Sequence, residues 1–187
     1  MIKNWHYVIT GFLQDRATRT RFVGLWLDLR RHHLYDDTAI TQLSWNSNWS
    51  DEAERIFRLS SHGPPTVRIY GYSWGAGWGA MQLAEHLRRR GVPVRAMVLV
   101  DPIYRHPYWL GNWRSLFHWV KIVVPPSVKE VWWFRQKLTW PRGHDLYAED
   151  GTVLHEPVWL DVGHAHMDDQ MGVVTKCLEV AAINGDE

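Results

Sequence analysis

Residues 66–79 read TVRIYGYSWGAGWG, and their interpretation decides the fold. Thr66-Val67-Arg68-Ile69-Tyr70 is a β-branched and aromatic run, the composition of a buried strand. It passes directly into Gly71-Tyr72-Ser73-Trp74-Gly75, a G-x-S-x-G pattern. A helical pattern follows over residues 76–90, with Met81, Leu83, Ala84 and Leu87 as its apolar side and Gly91 as its stop. A serine between such a strand and such a helix sits on a sharp turn, with its hydroxyl presented at the end of the sheet. The plainer reading makes Ser73 an ordinary cap of the helix N-terminus.

Outward from this turn, strands and helices alternate. Residues 6–10 (HYVIT) read as a first strand closed by Gly11, and residues 20–32 as a helix with Phe22, Leu25, Trp26 and Leu29 on one side. A second strand is expected over 38–45. A second helix opens at Ser50, with Asp51 and Glu52 in its first turn, and runs to about residue 60. Residues 94–100 form a nearly continuous apolar run, as in a parallel strand covered on both faces. Further strands are expected over 128–134 and 157–162, with a turn at 149–152, and a closing helix over 168–183. Residues 103–126 carry no strand pattern. The pattern predicts an α/β three-layer sandwich, a mostly parallel sheet of about six strands with helices on both faces. Ligands in such folds bind beyond the carboxyl ends of the strands.

Composition fits a soluble globular chain. The 187 residues suit a single domain, residues 1–187. Twenty-one Lys and Arg against 20 Asp and Glu leave a net charge of +1, with no basic excess to draw nucleic acid. The lone Cys177 closes no intramolecular disulfide. The N-terminal residues lack a signal peptide's apolar core, and no apolar run suffices for a membrane span, so a cytoplasmic protein without stable membrane insertion is expected. The unusual number is 13 Trp. Such a content fits a wide apolar binding face, or simply large rings filling a core.

With both flanks of G-x-S-x-G in place, the chain resembles the α/β-hydrolase superfamily from its first strand to its last helix. It looks closest to the small, lidless or short-lidded lipase- and esterase-like members. The resemblance implies a minimal α/β-hydrolase fold with Ser73 as nucleophile. A serine hydroxyl needs a base to take its proton. In that superfamily the base is a histidine just after the final strand, which here points to His164 in Gly163-His164-Ala165-His166, with His166 as fallback. The third member is a buried carboxylate that fixes the imidazole tautomer. Asp101, in Leu99-Val100-Asp101-Pro102, resembles the acid site of some lipases. Asp145, in Gly143-His144-Asp145, stands at the commoner superfamily position. Asp101 is preferred because it is the first polar residue after a buried strand.

An oxyanion hole requires two backbone N–H groups aimed at the developing charge. The resemblance assigns them to Trp74 and to the turn after the first strand, with Phe12 as the donor. Residues 103–126 fall where these enzymes insert a cap. There Trp109, Leu110, Trp113, Leu116, Phe117 and Val120 would give a helix one apolar face. As a short cap the segment would line an acyl pocket with Trp109 and Trp113; otherwise it is a plain crossover helix. The expected activity is cleavage of an ester or thioester of an apolar, lipid-like small molecule through an acyl-enzyme, without cofactor or metal. Two alternatives stand beside it. One is a non-catalytic relative that binds a ligand on its rings. The other is a zinc hydrolase, because His164, His166 and Asp168 also match an H-x-H-x-D segment.

Overall fold

A computed structural model of the chain describes residues 2–12, 14, 20–32, 37–60, 63–106, 108, 113, 117 and 119–182. The strands are β1 (Asn4–Thr10), β2 (Thr38–Ser44), β3 (Thr66–Tyr72), β4 (Val94–Val100), β5 (Ile122–Val124), β6 (Glu130–Gln136), β7 (Leu146–Ala148), β8 (Val153–Leu154) and β9 (Val158–Leu160). The helices are α1 (Arg21–His32), α2 (Trp49–Leu59), α3 (Ala80–Arg88) and α4 (Met171–Ala182). Seven strands form one sheet in the order β2-β1-β3-β4-β6-β8, with β9 also pairing with β6. Every pairing in it is parallel.

Alternation along the strands builds a core on each face. Trp5, Tyr7 and Ile9 of β1 join Met97 and Leu99 of β4 on one face, beneath Ala53 and Ile56 of α2 and Leu83 and Leu87 of α3. Val8, Tyr70, Val98 and Val100 point the other way, onto Phe22, Leu25 and Leu29 of α1 and Val174 and Cys177 of α4. This is the predicted three-layer α/β arrangement. Successive connections leave β1 in opposite directions, to β2 on one side and eventually to β3 on the other. The carboxyl ends of β1 and β3 are therefore where a fold of this kind binds a ligand.

Several boundaries differ from the sequence reading. Asn48, not Ser50, caps α2, its side-chain oxygen accepting from the Asp51 N–H at 3.3 Å. The helix after Ser73 begins with a π-helical turn, Gly75–Gly79. The closing helix starts at Met171 because residues His164–Asp169 wind as a 3-10 turn and Gln170 is extended. The strand expected over 128–134 runs instead from Glu130 to Gln136. Residues 103–126 do contain a strand: Ile122–Val124 pairs with β7 in a separate two-stranded sheet, with Ile122 and Val124 buried and Val123 exposed. Most of the helix anticipated from Trp109 to Val120 lies outside the described residues. Among the described residues no helix is long and apolar enough to cross a membrane.

Candidate active site

Ser73 follows β3 and adopts φ 55°, a left-handed conformation that costs a residue with a Cβ about 1–2 kcal/mol. The turn is held from several sides. The Ser73 N–H donates to Val100 O at 2.9 Å, and Ser73 O accepts from the N–H groups of Gly77 at 2.9 Å and Ile103 at 3.1 Å. The glycines around it are a packing requirement. A Cβ at Gly75 would strike the carbonyl oxygens of Ile9 and Thr10, and one at Gly77 would strike the Ile103 backbone.

Asp101 follows β4 directly and is fully buried, with φ 42°. Its Oδ1 accepts from the Gly143 N–H at 3.0 Å, and its Oδ2 from Gln136 Nε2 at 3.1 Å and from His164 Nδ1 at 2.7 Å. The other ring nitrogen of His164, Nε2, lies 3.1 Å from Ser73 Oγ. An ionised carboxylate only accepts, so Nδ1 carries the proton and Nε2 is the acceptor facing the serine hydroxyl. The structure thus brings Ser73, His164 and Asp101 into one hydrogen-bonded chain across the ends of β3, β4 and β9.

Further contacts hold the His164 backbone and ring. The His164 N–H donates to Thr139 Oγ1 at 2.8 Å, the Tyr72 hydroxyl donates to His164 O at 2.7 Å, and the Tyr72 ring stacks on the imidazole at 5.2 Å. Burial, then the charges of Asp168, Asp101 and Asp169, push the Tyr72 phenol far up, so it stays a donor. Thr139 is fixed in turn by Gln136, whose Oε1 accepts the Thr139 N–H at 2.9 Å.

Gly11, after β1, lies against the nucleophile: a Cβ there would sit 3.0 Å from Ser73 Cβ. Its N–H donates to Gln14 Oε1 at 3.1 Å, and Gln14 Nε2 donates to Asp168 Oδ2. This links the turn carrying Phe12 to the 3-10 turn carrying His164. Phe12 is half-exposed, with its ring 4.8 Å from that of Trp74 and 6.2 Å from that of Trp45.

The remaining sequence candidates stand elsewhere. Asp145 is 52% exposed and paired with Arg135, because β6 continues far enough to place that arginine beside it. His166 is exposed on the 3-10 turn, which rotates it away from the Ser73 side while His164 faces it. Trp113 is about half-exposed and packs edge-on against Phe117 at 5.7 Å, and Trp109 lies outside the described residues. The residues of the zinc alternative have other partners. Both His164 nitrogens are engaged, Asp168 turns to Gln14, and among the described residues no His, Cys, Asp and Glu cluster could hold a metal ion. Sequence reasoning missed Gln136, Thr139, Gln14 and Trp45. Trp45 had a signal, since it directly follows β2.

No protein-family model matches the chain, and no curated protein matches it. Solved structures do. The thioesterase domain SrfTE, which cyclises the lipopeptide antibiotic surfactin, superposes with a TM-score of 0.55 at 14% identity, over 98% of this chain and 93% of that one. The RedJ thioesterase of the prodiginine biosynthetic pathway in Streptomyces coelicolor gives 0.52 at 14% identity, over 96% and 85%. The likeness is one of fold.

Proposed function

With an α/β-hydrolase fold as the premise, we propose that the chain is a serine hydrolase cleaving a carboxylic ester or thioester of an apolar acyl substrate through an acyl-enzyme. The observation that carries the reading is the Ser73–His164–Asp101 chain of hydrogen bonds, 3.1 Å and 2.7 Å long. In this reading His164 Nε2 takes the Ser73 proton as Oγ attacks the carbonyl carbon. Asp101 holds the imidazole tautomer and stabilises the imidazolium. The N–H groups of Trp74 and Phe12 receive the oxyanion, and the closeness of Gly11 to Ser73 supports that assignment. His164 then protonates the leaving group and activates the water that releases the acid.

Residues 1–187 act as one catalytic domain in this proposal. Within residues 103–126, the proposed short cap, the half-exposed Trp113 is available to an acyl chain, while Ile122 and Val124 belong to the core. The rings of Phe12, Trp45 and Trp74 supply an apolar wall. Because SrfTE and RedJ are thioesterases, a thioester is the first bond to test.

Fluorophosphonate labelling with peptide mapping tests the reading. The expected result is an adduct on Ser73, absent from Ser73→Ala, together with loss of turnover in that variant. A Ser73→Ala chain with near-wild-type turnover refutes it. A folded wild-type chain without an adduct indicates a binding protein instead.

A further inference from the structure

Arg105 sits in a cage of indole rings, one of them that of Trp74, the residue after Ser73. The Ile103 N–H donates to Ser73 O at 3.1 Å and so fixes the approach of this segment. Two residues on, the Arg105 guanidinium carbon lies 4.5 Å from the Trp45 ring centre, 5.2 Å from that of Trp78 and 5.8 Å from that of Trp74. Trp74 directly follows Ser73, and the Trp45 and Trp74 rings are themselves 5.0 Å apart.

Arg105 contrasts with the arginines that pair with carboxylates. Arg55 pairs with Glu52, Arg90 with Glu54 and Arg135 with Asp145. Among the described residues no carboxylate pairs with Arg105, and its buried Nε has no hydrogen-bond partner. Burial lowers its pKa. Indole rings attract a guanidinium placed over their faces, through cation–π contact. Its N–H donors lie in its plane, as a fork shaped for carboxylate or phosphate oxygens. The ring contacts hold the guanidinium in place and leave its buried Nε donor without a partner.

We propose that Arg105 recognises an oxyanionic group, carboxylate or phosphate, on the substrate whose carbonyl Ser73 attacks. The inference rests on the serine-hydrolase reading and narrows it to amphiphilic substrates. The apolar part lies on the rings of Phe12, Trp45 and Trp74, and the charge ends at Arg105. The anion belongs either to the acyl group or to the leaving group.

Two matched ester pairs separate those sources. Para-nitrophenyl hydrogen adipate against para-nitrophenyl hexanoate places the charge on the acyl side. Para-hexanoyloxybenzoate against phenyl hexanoate places it on the leaving group. For one pair, the wild-type ratio of kcat/KM, anionic over neutral, exceeds one. Arg105→Gln lowers that ratio about ten- to hundredfold, the range for losing a charge-assisted hydrogen bond, and Arg105→Lys restores part of it. The ratio cancels any general loss from a loosened cage. Ratios that Arg105→Gln leaves unchanged in both pairs overturn the proposal. If Ser73 takes no fluorophosphonate and neither pair turns over, the hydrolase reading has failed separately. Calorimetric binding of monomethyl adipate then decides: binding lost in Arg105→Gln sustains the anion site, and no binding, or equal binding by both chains, removes it.

Discussion

Replacing Asp101 by asparagine keeps the shape of the side chain and removes its charge, and the hydrogen bonds around it decide the outcome. The buried carboxylate faces three donors: the Gly143 N–H on Oδ1, and Gln136 Nε2 and His164 Nδ1 on Oδ2. An amide has one acceptor end, so either orientation turns its NH2 group onto a donor. With the NH2 towards Gly143, a buried N–H is orphaned at a cost of roughly 1–3 kcal/mol. With the NH2 towards His164 and Gln136, the cost is smaller. Gln136 Nε2 also donates to the carbonyls of Thr139 at 2.9 Å and Pro141 at 3.0 Å, and it keeps those partners. The second orientation therefore prevails, and it forces His164 to accept at Nδ1 and carry its proton on Nε2. That tautomer presents an N–H to Ser73 Oγ and cannot take the hydroxyl proton. The loss expected in kcat/KM is about 10³–10⁴-fold, or about 4–5.5 kcal/mol of transition-state stabilisation. The assay is kcat/KM on an aryl ester and the rate of fluorophosphonate adduct formation, with circular dichroism to establish folding. Asp145→Asn is the matched control. Its carboxylate is 52% exposed in a surface ion pair, so activity stays within about threefold of wild type. An Asp101→Asn chain within tenfold of wild type, or an equal loss from Asp145→Asn, refutes the reasoning.

Contacts around the base set two further outcomes. Tyr72→Phe removes the 2.7 Å hydrogen bond to His164 O and keeps the stacked ring, so kcat should fall about two- to tenfold, the equivalent of roughly 0.5–1.5 kcal/mol. An unchanged kcat would show that the stacked ring alone positions the imidazole. Burial, with Asp169 adding its charge against hydrogen bonds from Thr20 and Gln14, raises the Asp168 pKa above its ordinary value. The folded state then holds this proton more tightly than the unfolded chain. The Asp168 contribution is full below the ordinary carboxyl pKa and is lost as pH rises through the folded value. Melting curves should show the Tm of Asp168→Asn gaining on wild type as pH rises from below the ordinary carboxylate range to above it, and a constant difference would count against it.

The parts of the site legible in the sequence are those that directly follow a strand. Ser73 and Asp101 each terminate an apolar run, and His164 stands just beyond the last one. The residues that were not legible act by returning across the end of the sheet. Arg135 and Gln136 look like a polar exit from the strand, yet they pair with Trp159 and Leu160 of β9. That pairing extends β6 until Gln136 reaches Asp101. Thr139 and Gln14 sit in loops whose sequence gives no sign of what they meet. Three-residue β5 is too short for its alternation to register, between Lys121 and a Pro-Pro pair. Trp45 could have been read, because the strand-end rule applies to rings as well as to titratable groups.

That division has a physical cause in how the triad geometry is set. The two non-glycine residues with left-handed backbone among the described residues, Ser73 and Asp101, end the adjacent strands β3 and β4, whose register pairs Tyr72 with Val100. The Ser73 N–H bonds to Val100 O, and the Asp101 N–H to Phe134 O at 2.8 Å. The sheet ladder thus continues one residue beyond each strand, into the reactive positions themselves. A register slip of one residue would turn the whole strand over and break both bonds. The spacing between nucleophile and acid is therefore a property of the core, secured by the same apolar runs that identify the strands. The base differs: His164 is held by Thr139, Tyr72 and Asp101 through side-chain bonds, so its position is the adjustable one. Substitutions in those holding groups should degrade activity by degrees, whereas those that shift β3 against β4 should cost fold and activity together.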